Sequence, residues 1–222
     1  MESFSSRIIK FSKAHDFVGN KGESHFSVEA DQFKATFYFT ANRGQLKEIS
    51  YTVESERIEN GILFALCTLL KNADTKRMKS ITAREVESFL RDQNHIPAMG
   101  ESPFPGAFVD SFRELLISSV FESEIRKDVD FWEVSEESSY VDKIKAISDF
   151  FTLKINMNEY FLEESMEIEL IQLEDDAFFV EFRSSINHVK LAPNTLSKVF
   201  LDSLEGLVRS VIKSENINLV AE

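Results

Sequence analysis

The sequence predicts an α+β fold of two small domains, each with an antiparallel or mixed sheet of two or three strands packed by helices. Three observations carry this prediction. Apolar and polar residues alternate along Phe33–Thr40, which is the pattern of a half-buried strand. Over residues 58–70 the apolar spacing changes to three and four, which is typical of a helix with one buried face. The second half follows the order helix, strand, strand, helix.

The first domain is predicted to span residues 1–121. Asn42 and Gly44 tolerate positive φ and predict a turn between the two strands of a β-hairpin. Thr82 and Glu85 have the spacing of a capping box, which begins a helix. Prolines mark the region around 96–106 as an irregular loop. The expected elements are an amphipathic segment 4–12, strands 25–30, 33–40 and 46–54, and helices 58–70, 82–92 and 107–121.

Residues 122–140 are rich in acidic side chains and serine, and we interpret them as an inter-domain linker in which Phe131 and Trp132 could dock. The second domain is then predicted to span residues 141–222. Pro193 suits the first turn of a helix, where a missing N–H costs nothing. The expected elements are helix 141–161, strands 166–173 and 177–183, helix 193–213 and a last strand 217–220.

The composition excludes several classes of protein. The 222 residues carry a formal net charge of −13, whereas a nucleic-acid surface needs clustered Lys and Arg. No apolar run approaches the ~18 residues of a membrane span, and the N-terminus lacks the apolar core of a secretory signal. No G-x-G-x-x-G or Walker loop is present. We therefore expect an acidic cytoplasmic protein that binds neither nucleic acid nor membrane.

The residues that could carry chemistry do not form a recognisable catalytic set. Cys67 is the only cysteine, and it lies on a strongly apolar helix where burial would make the thiol inert. The four histidines include no i,i+4 pair, and most acidic residues lie in runs typical of solvated faces. From these residues alone we expect a protein that is not an enzyme, with no catalytic residues and no cofactor.

The order of segments in the first 120 residues resembles a known family. FSSRIIKFSKAHDFVG (4–19) is similar to an opening helix, and Glu29-Ala30-Asp31 stands where the family carries Cys-Gly-Asp. FKATFYFTANRGQLKEISYTV follows as strand, glycine turn and strand, and two helical segments come next, at 58–71 and 79–90. This pattern resembles the U-type iron–sulfur scaffold, the NifU/IscU N-terminal domain.

The second half carries a matching resemblance. Ile168-Glu169-Leu170 is similar to a Val-Glu-Leu motif, and Thr195-Leu196 falls on a Thr-Leu pair that follows a metal motif. Residues 157–221 as a whole resemble the small C-terminal NifU domain, also called Nfu. Both resemblances occur in the order that NifU proteins have, with an acidic segment in place of their central ferredoxin-type region.

The departures from the family fall on its ligand positions. Scaffold proteins hold their cluster with cysteines because thiolates are the soft ligands that iron–sulfur clusters need. Here the first position is Glu29 and the second falls near Glu56, and residues 99–112 contain neither Cys nor His for the third. The family's aspartate is kept as Asp31.

In the second domain the family's Cys-x-x-Cys pair falls on Ile186 and Val189, neither of which can bind iron. The resemblance therefore implies a degenerate, non-catalytic binding or regulatory member of the family that holds no metal or cluster. It implies protein partners from iron–sulfur cluster assembly, such as a cysteine desulfurase. We also expect a homodimer, because these two residues would replace a cluster-bridged contact with an apolar one.

Two alternatives stay open from the sequence. Glu29, Asp31 and Glu56 supply oxygen ligands, which suit Mg²⁺, Ca²⁺ or Mn²⁺, so the chain could be a hard-metal protein or enzyme. It could also be a purely structural interaction module, in which the 21 phenylalanines build two cores and the acidic faces hold a basic partner.

Overall fold

The computed structural model describes residues 4–53, 58–135 and 137–222. It confirms the α+β class, with one antiparallel and one mixed three-stranded sheet packed by helices. The chain divides into two compact units, Met1–Ser119 and Val120–Glu222. The strands are β1 Ser24–Ala30, β2 Phe33–Asn42, β3 Gln45–Val53, β4 Met166–Leu173, β5 Ala177–Ser184 and β6 Asn218–Ala221. The α-helices are α1 Ser6–Ser12, α2 Ile58–Leu70, α3 Thr75–Ser80, α4 Ala83–Leu90, α5 Gly106–Arg126, α6 Tyr140–Phe150, α7 Glu159–Glu163 and α8 Lys198–Ile212.

The first sheet has the order β1-β2-β3 and is antiparallel throughout. A two-residue turn, Asp31-Gln32, joins β1 to β2, and both residues have positive φ, as a type I′ hairpin turn requires. The alternation of β2 buries one face, which carries the aromatic centre of the first core. Phe37 lies there within 4.5–6.5 Å of the rings of Phe26, Phe108, Phe112 and Tyr51.

Helices α1 and α2 cross closely at Gly61, where an added Cβ would lie 2.7 Å from the carbonyl oxygen of Ile8. The N-terminus of α1 is anchored by the Asp92 carboxylate, which accepts hydrogen bonds from the backbone N–H and the hydroxyl of Ser6. The Thr82 hydroxyl accepts from the N–H of Glu85 at 3.2 Å, as expected for the N-cap of α4.

The second unit is built on the antiparallel hairpin β4–β5, and β6 adds to β5 in parallel. Side chains from the inner face of this hairpin pack against α6 and α8 around one core. The centre of that core includes Phe150, Phe161, Phe178, Phe182 and Leu204, all with no exposed surface.

Three segments of this half differ from the prediction. The helix predicted for 141–161 is divided, because α6 passes into a π-helical turn, Phe151–Ile155, before α7 begins. The helix predicted for 193–213 begins at Lys198, after a short 3-10 turn. Residues 122–140 include the end of α5 and a 3-10 helix, Val129–Phe131, and Val129 belongs to the second core.

Candidate functional site

The sequence-predicted positions of the first unit lie at the β1–β2 turn. Glu29 is exposed near the end of β1, with its carboxylate 3.7 Å from the ammonium of Lys34. The Asp31 carboxylate accepts a hydrogen bond of 3.1 Å from the backbone N–H of Phe108, in the first turn of α5. Asp31 therefore caps a helix N-terminus, where negative charge is stabilising. Glu56 lies outside the described residues.

These contacts bear on the hard-metal alternative. The carboxylates of Glu29 and Asp31 each have a partner already, an ammonium and a helix N–H respectively. Within residues 4–53, 58–135 and 137–222, no three His, Cys, Asp or Glu side chains converge as a metal site would require. The donor set that the structure describes therefore gives this alternative no support.

Cys67 lies on α2 with no exposed surface. Burial raises the pKa of its thiol well above the usual value, because an apolar environment disfavours the thiolate. The thiolate is the form that binds metals and attacks electrophiles, so this cysteine is a packing residue.

The positions predicted in the second unit lie on a surface loop, residues 184–190, which we call the apolar loop. Ile186 is 79% exposed and Val189 is 57% exposed. Backbone hydrogen bonds close the loop: the N–H of Ser184 donates to the carbonyl of Val189 at 2.9 Å, and that of His188 donates to the carbonyl of Ser184 at 2.8 Å. The loop has a defined conformation although its apolar side chains face solvent.

Further contacts fix the apolar loop to the sheet. His188 has positive φ, and its Nδ1 lies 2.8 Å from a carboxylate oxygen of Glu167 on β4. The N–H of Ser185 donates to the carbonyl of Ser165 at 2.8 Å. These bonds tie the loop to β4 and to the residue just before it, which lowers the conformational entropy that docking would cost.

Charged side chains border the apolar loop on the outer face of the sheet. The Glu181 carboxylate contacts Lys190 at 2.9 Å and Arg183 at 2.5 Å, and Arg183 also contacts Glu169 at 2.7 Å. Hydrogen bonds from Lys190 and Arg183 lower the pKa of the Glu181 carboxyl, so it stays ionised. An apolar centre with a charged border is the composition of a protein–protein interface.

The aromatic residues of the predicted linker divide into two roles. Trp132 packs against the second core, with its ring 6.3 Å from that of Phe150. Phe131 is 82% exposed and contacts only the edge of Trp132 among the described aromatic rings. Of the two aromatic residues expected to be able to dock, Trp132 packs and Phe131 does not, and the acidic composition gave no signal that Val129 contributes to the core.

Sequence reasoning found Ile186 and Val189 but not the features that make them a defined surface. The hydrogen bond across the loop and the anchor at Glu167 depend on how the hairpin folds. Asn187 and Ser184, which also hold loop N–H groups with their side chains, are of the residue types that favour such turns. Those residue types were the one local signal available.

Comparison with known proteins gives limited information. No family model matches the chain, and no curated protein matches it. Among solved structures, one similar chain is a nitrogen-fixing NifU-like protein (N-terminal) from Brucella abortus, at 14% identity and a TM-score of 0.31. The match covers 53% of this chain and 83% of that chain. No helix in the described part of the chain is long and apolar enough to span a membrane. The comparisons therefore give a weak NifU-like structural neighbour and no family assignment.

Proposed function

We propose that this chain is a non-catalytic binding protein related to iron–sulfur scaffolds, which holds no cluster at the family's ligand positions and docks on a protein partner through the apolar loop. The observation that carries the proposal is the apolar loop itself, with Ile186 and Val189 exposed on a hydrogen-bonded frame. By the resemblance of the sequence, we infer a partner from cluster assembly, of the cysteine desulfurase type; from the acidic composition we infer a cytoplasmic location.

The donor set supports the first part of the proposal. An iron–sulfur cluster is held mainly by thiolates, and the chain has one cysteine. Cys67 has no exposed surface, so a second copy of the chain cannot supply the missing ligands through it. The family positions at Ile186 and Val189 carry alkyl side chains, which have no atom that binds a metal.

The exposure of the apolar loop supports the second part. Burying a β-branched side chain in an interface is worth about 1.5–3 kcal/mol relative to leaving it in water. Because the loop is already ordered, little of that free energy is spent on fixing its conformation. The two exposed side chains of the apolar loop are thus suited to binding a protein, and as alkyl groups they offer no acid, base or nucleophile for catalysis.

Anaerobic reconstitution with iron and sulfide tests the first part. We expect no stoichiometric, stable visible absorbance after desalting, because the described donor atoms include no accessible thiolate. A cysteine-ligated scaffold protein treated in parallel serves as the positive control. A stable brown protein with iron and sulfide in stoichiometric amount would contradict the proposal.

Calorimetric titration of the chain with a cysteine desulfurase from the same cells tests the second part. We expect that Ile186→Asp and Val189→Asp each weaken binding tenfold or more, since a charge would replace a buried alkyl group. Val141→Asp is the matched control, because Val141 is 71% exposed on α6 and outside the apolar loop. An equal loss in the control, or no binding by the unmodified chain, would contradict the docking proposal.

A further inference from the structure

The two sheets that the structure describes have four edges, and three of them carry backbone hydrogen bonds to other parts of the chain. At β3 the N–H of Tyr51 donates to the carbonyl of Phe17, and the carbonyl of Tyr51 accepts from the N–H of Gly19, both at 2.9 Å. The segment that precedes β1 thereby forms an isolated parallel bridge, Val18 to Tyr51, that occupies the middle of this edge. An uncovered edge strand is a ready template for pairing with another chain, so such contacts oppose association along these three edges.

Side chains occupy part of both edges of the second sheet. At β4 the side-chain amide of Asn156 forms the two hydrogen bonds that a neighbouring strand would form. Its oxygen accepts from the backbone N–H of Ile168 at 2.8 Å, and its nitrogen donates to the backbone carbonyl of Ile168 at 3.1 Å. At β6 the guanidinium of Arg209 donates to the carbonyl of Ile217 at 2.8 Å. The Glu205 carboxylate accepts from the N–H of Leu219 at 2.7 Å.

The remaining edge, β1, is open. The two-residue turn makes Ala30 and Phe33 a hydrogen-bonded pair. Hydrogen-bonded and non-hydrogen-bonded pairs alternate along an antiparallel ladder, so the backbone N–H and C=O groups of His25, Ser27 and Glu29 point away from β2. All three residues are exposed, and no contact within the described ranges occupies those backbone groups. Strand β1 also has no proline, lysine or bulge, which are the usual protections of an edge.

We propose that the β1 edge pairs with the β1 edge of a second copy of this chain, antiparallel and centred on Ser27. In this register Ser27 faces Ser27 of the second copy, and His25 faces Glu29 of the second copy. Each of the three outward residues donates its N–H to the second copy and accepts at its C=O. The two three-stranded sheets become one continuous sheet across a twofold axis.

Charge and register select this pairing. The arrangement sets the Glu29 carboxylate between the ammonium of Lys34 in its own chain and His25 of the second copy, whose ring N–H can donate a hydrogen bond to it. Moving the register by two residues in one direction places Glu29 opposite Glu23 of the second copy, and two carboxylates that face each other repel. Moving it the other way brings Asp31 of the turn into the pairing and shortens it.

Single-cysteine cross-linking of the full chain tests the register. In the proposed dimer the Ser27 Cα atoms lie about 5.5 Å apart across the axis. The two His25 Cα atoms lie about 14 Å apart. Each His25 faces Glu29 of the other copy, and that Glu29 is four residues along the strand from the His25 of its own chain. We expect Ser27→Cys to give a covalent dimer with a short bifunctional thiol reagent, and His25→Cys to give none. Cys67 is fully buried and does not react.

Sedimentation equilibrium supplies the second measurement. We expect the unmodified chain to form a dimer, and His25→Glu to weaken association at least tenfold, because the introduced carboxylate would face Glu29 of the second copy. Glu29→Lys should weaken it by removing the carboxylate that accepts a hydrogen bond from His25 of the second copy. Mixing the two variants should restore association as a heterodimer, since the introduced carboxylate and the introduced ammonium then face each other.

Three outcomes would overturn the inference: a monomer at the highest soluble concentration, equal cross-linking at positions 25 and 27, or no rescue in the mixture. Ser27→Pro gives a separate check, because its outward N–H is not needed by the β1–β2 pair and an edge strand tolerates proline. It should be monomeric with an unchanged circular dichroism spectrum. The inference concerns the first unit, so its failure would leave the proposal for the apolar loop in the second unit unaffected.

Discussion

Phe37→Ala should lower the free energy of unfolding of the first unit by about 3–5 kcal/mol, the range measured for removal of large buried aromatics. Phe37 has no exposed surface, and its ring lies 4.5 Å from that of Phe112 and 5.4 Å from that of Phe26. The substitution removes the centre of this cluster, and the surrounding rings cannot collapse into the space without moving the sheet. Urea unfolding followed by circular dichroism measures the loss.

Phe131→Ala is the matched control for the same change of side chain. Phe131 is 82% exposed, so its removal should change the free energy of unfolding by less than about 0.5 kcal/mol. We expect the loss in the unfolding of the first unit, because the substituted residue lies in the core of that unit. Equal effects at positions 37 and 131 would contradict the assignment of the first core.

Gly61→Ala should destabilise the first unit by about 2 kcal/mol, although alanine favours a helix over glycine by about 1 kcal/mol. The added methyl would lie 2.7 Å from the carbonyl oxygen of Ile8, where backbone rather than a flexible side chain must move. Helix α1 cannot move freely because Asp92 holds Ser6 at its N-terminus. The cost of overpacking therefore exceeds the gain in helix propensity. Differential scanning calorimetry measures the shift.

Gly206→Ala is the control, since Gly206 also lies inside a helix, α8. The nearest atom to its added Cβ would be a guanidinium nitrogen of Arg126 at 3.9 Å, an ordinary contact. We expect a gain of about 0.5–1 kcal/mol in the second unit. If both substitutions lowered stability, or both raised it, the close approach of α1 to α2 would not be what determines whether Gly61→Ala stabilises or destabilises the protein.

Helices and strands could be predicted where one local pattern dominates. The alternation along Phe33–Thr40 predicted a strand with one buried face, and the three- and four-residue spacing along 58–70 predicted a helix; both elements are present. Helix α2 is buried around most of its circumference and not on one face, with Thr68 as its one exposed residue. Local patterns were insufficient at 141–161, where the structure replaces one helix with α6, a π-helical turn and α7. The side chain of Asn156, just after that turn, bonds Ile168 on β4, a contact with no sequence pattern.

The sequence alone established the donor chemistry of this protein: one cysteine, alkyl side chains at 186 and 189, and carboxylates at 29 and 31. These are covalent facts that no packing can change. The tertiary structure decided what each group does. It buries Cys67, places Asp31 on the N-terminus of α5 and orders the apolar loop. Within the described residues it also places backbone hydrogen bonds on three sheet edges and none on the outward side of β1. Hydrogen bonds between distant residues depend on how elements pack, and spacing along the chain does not encode them.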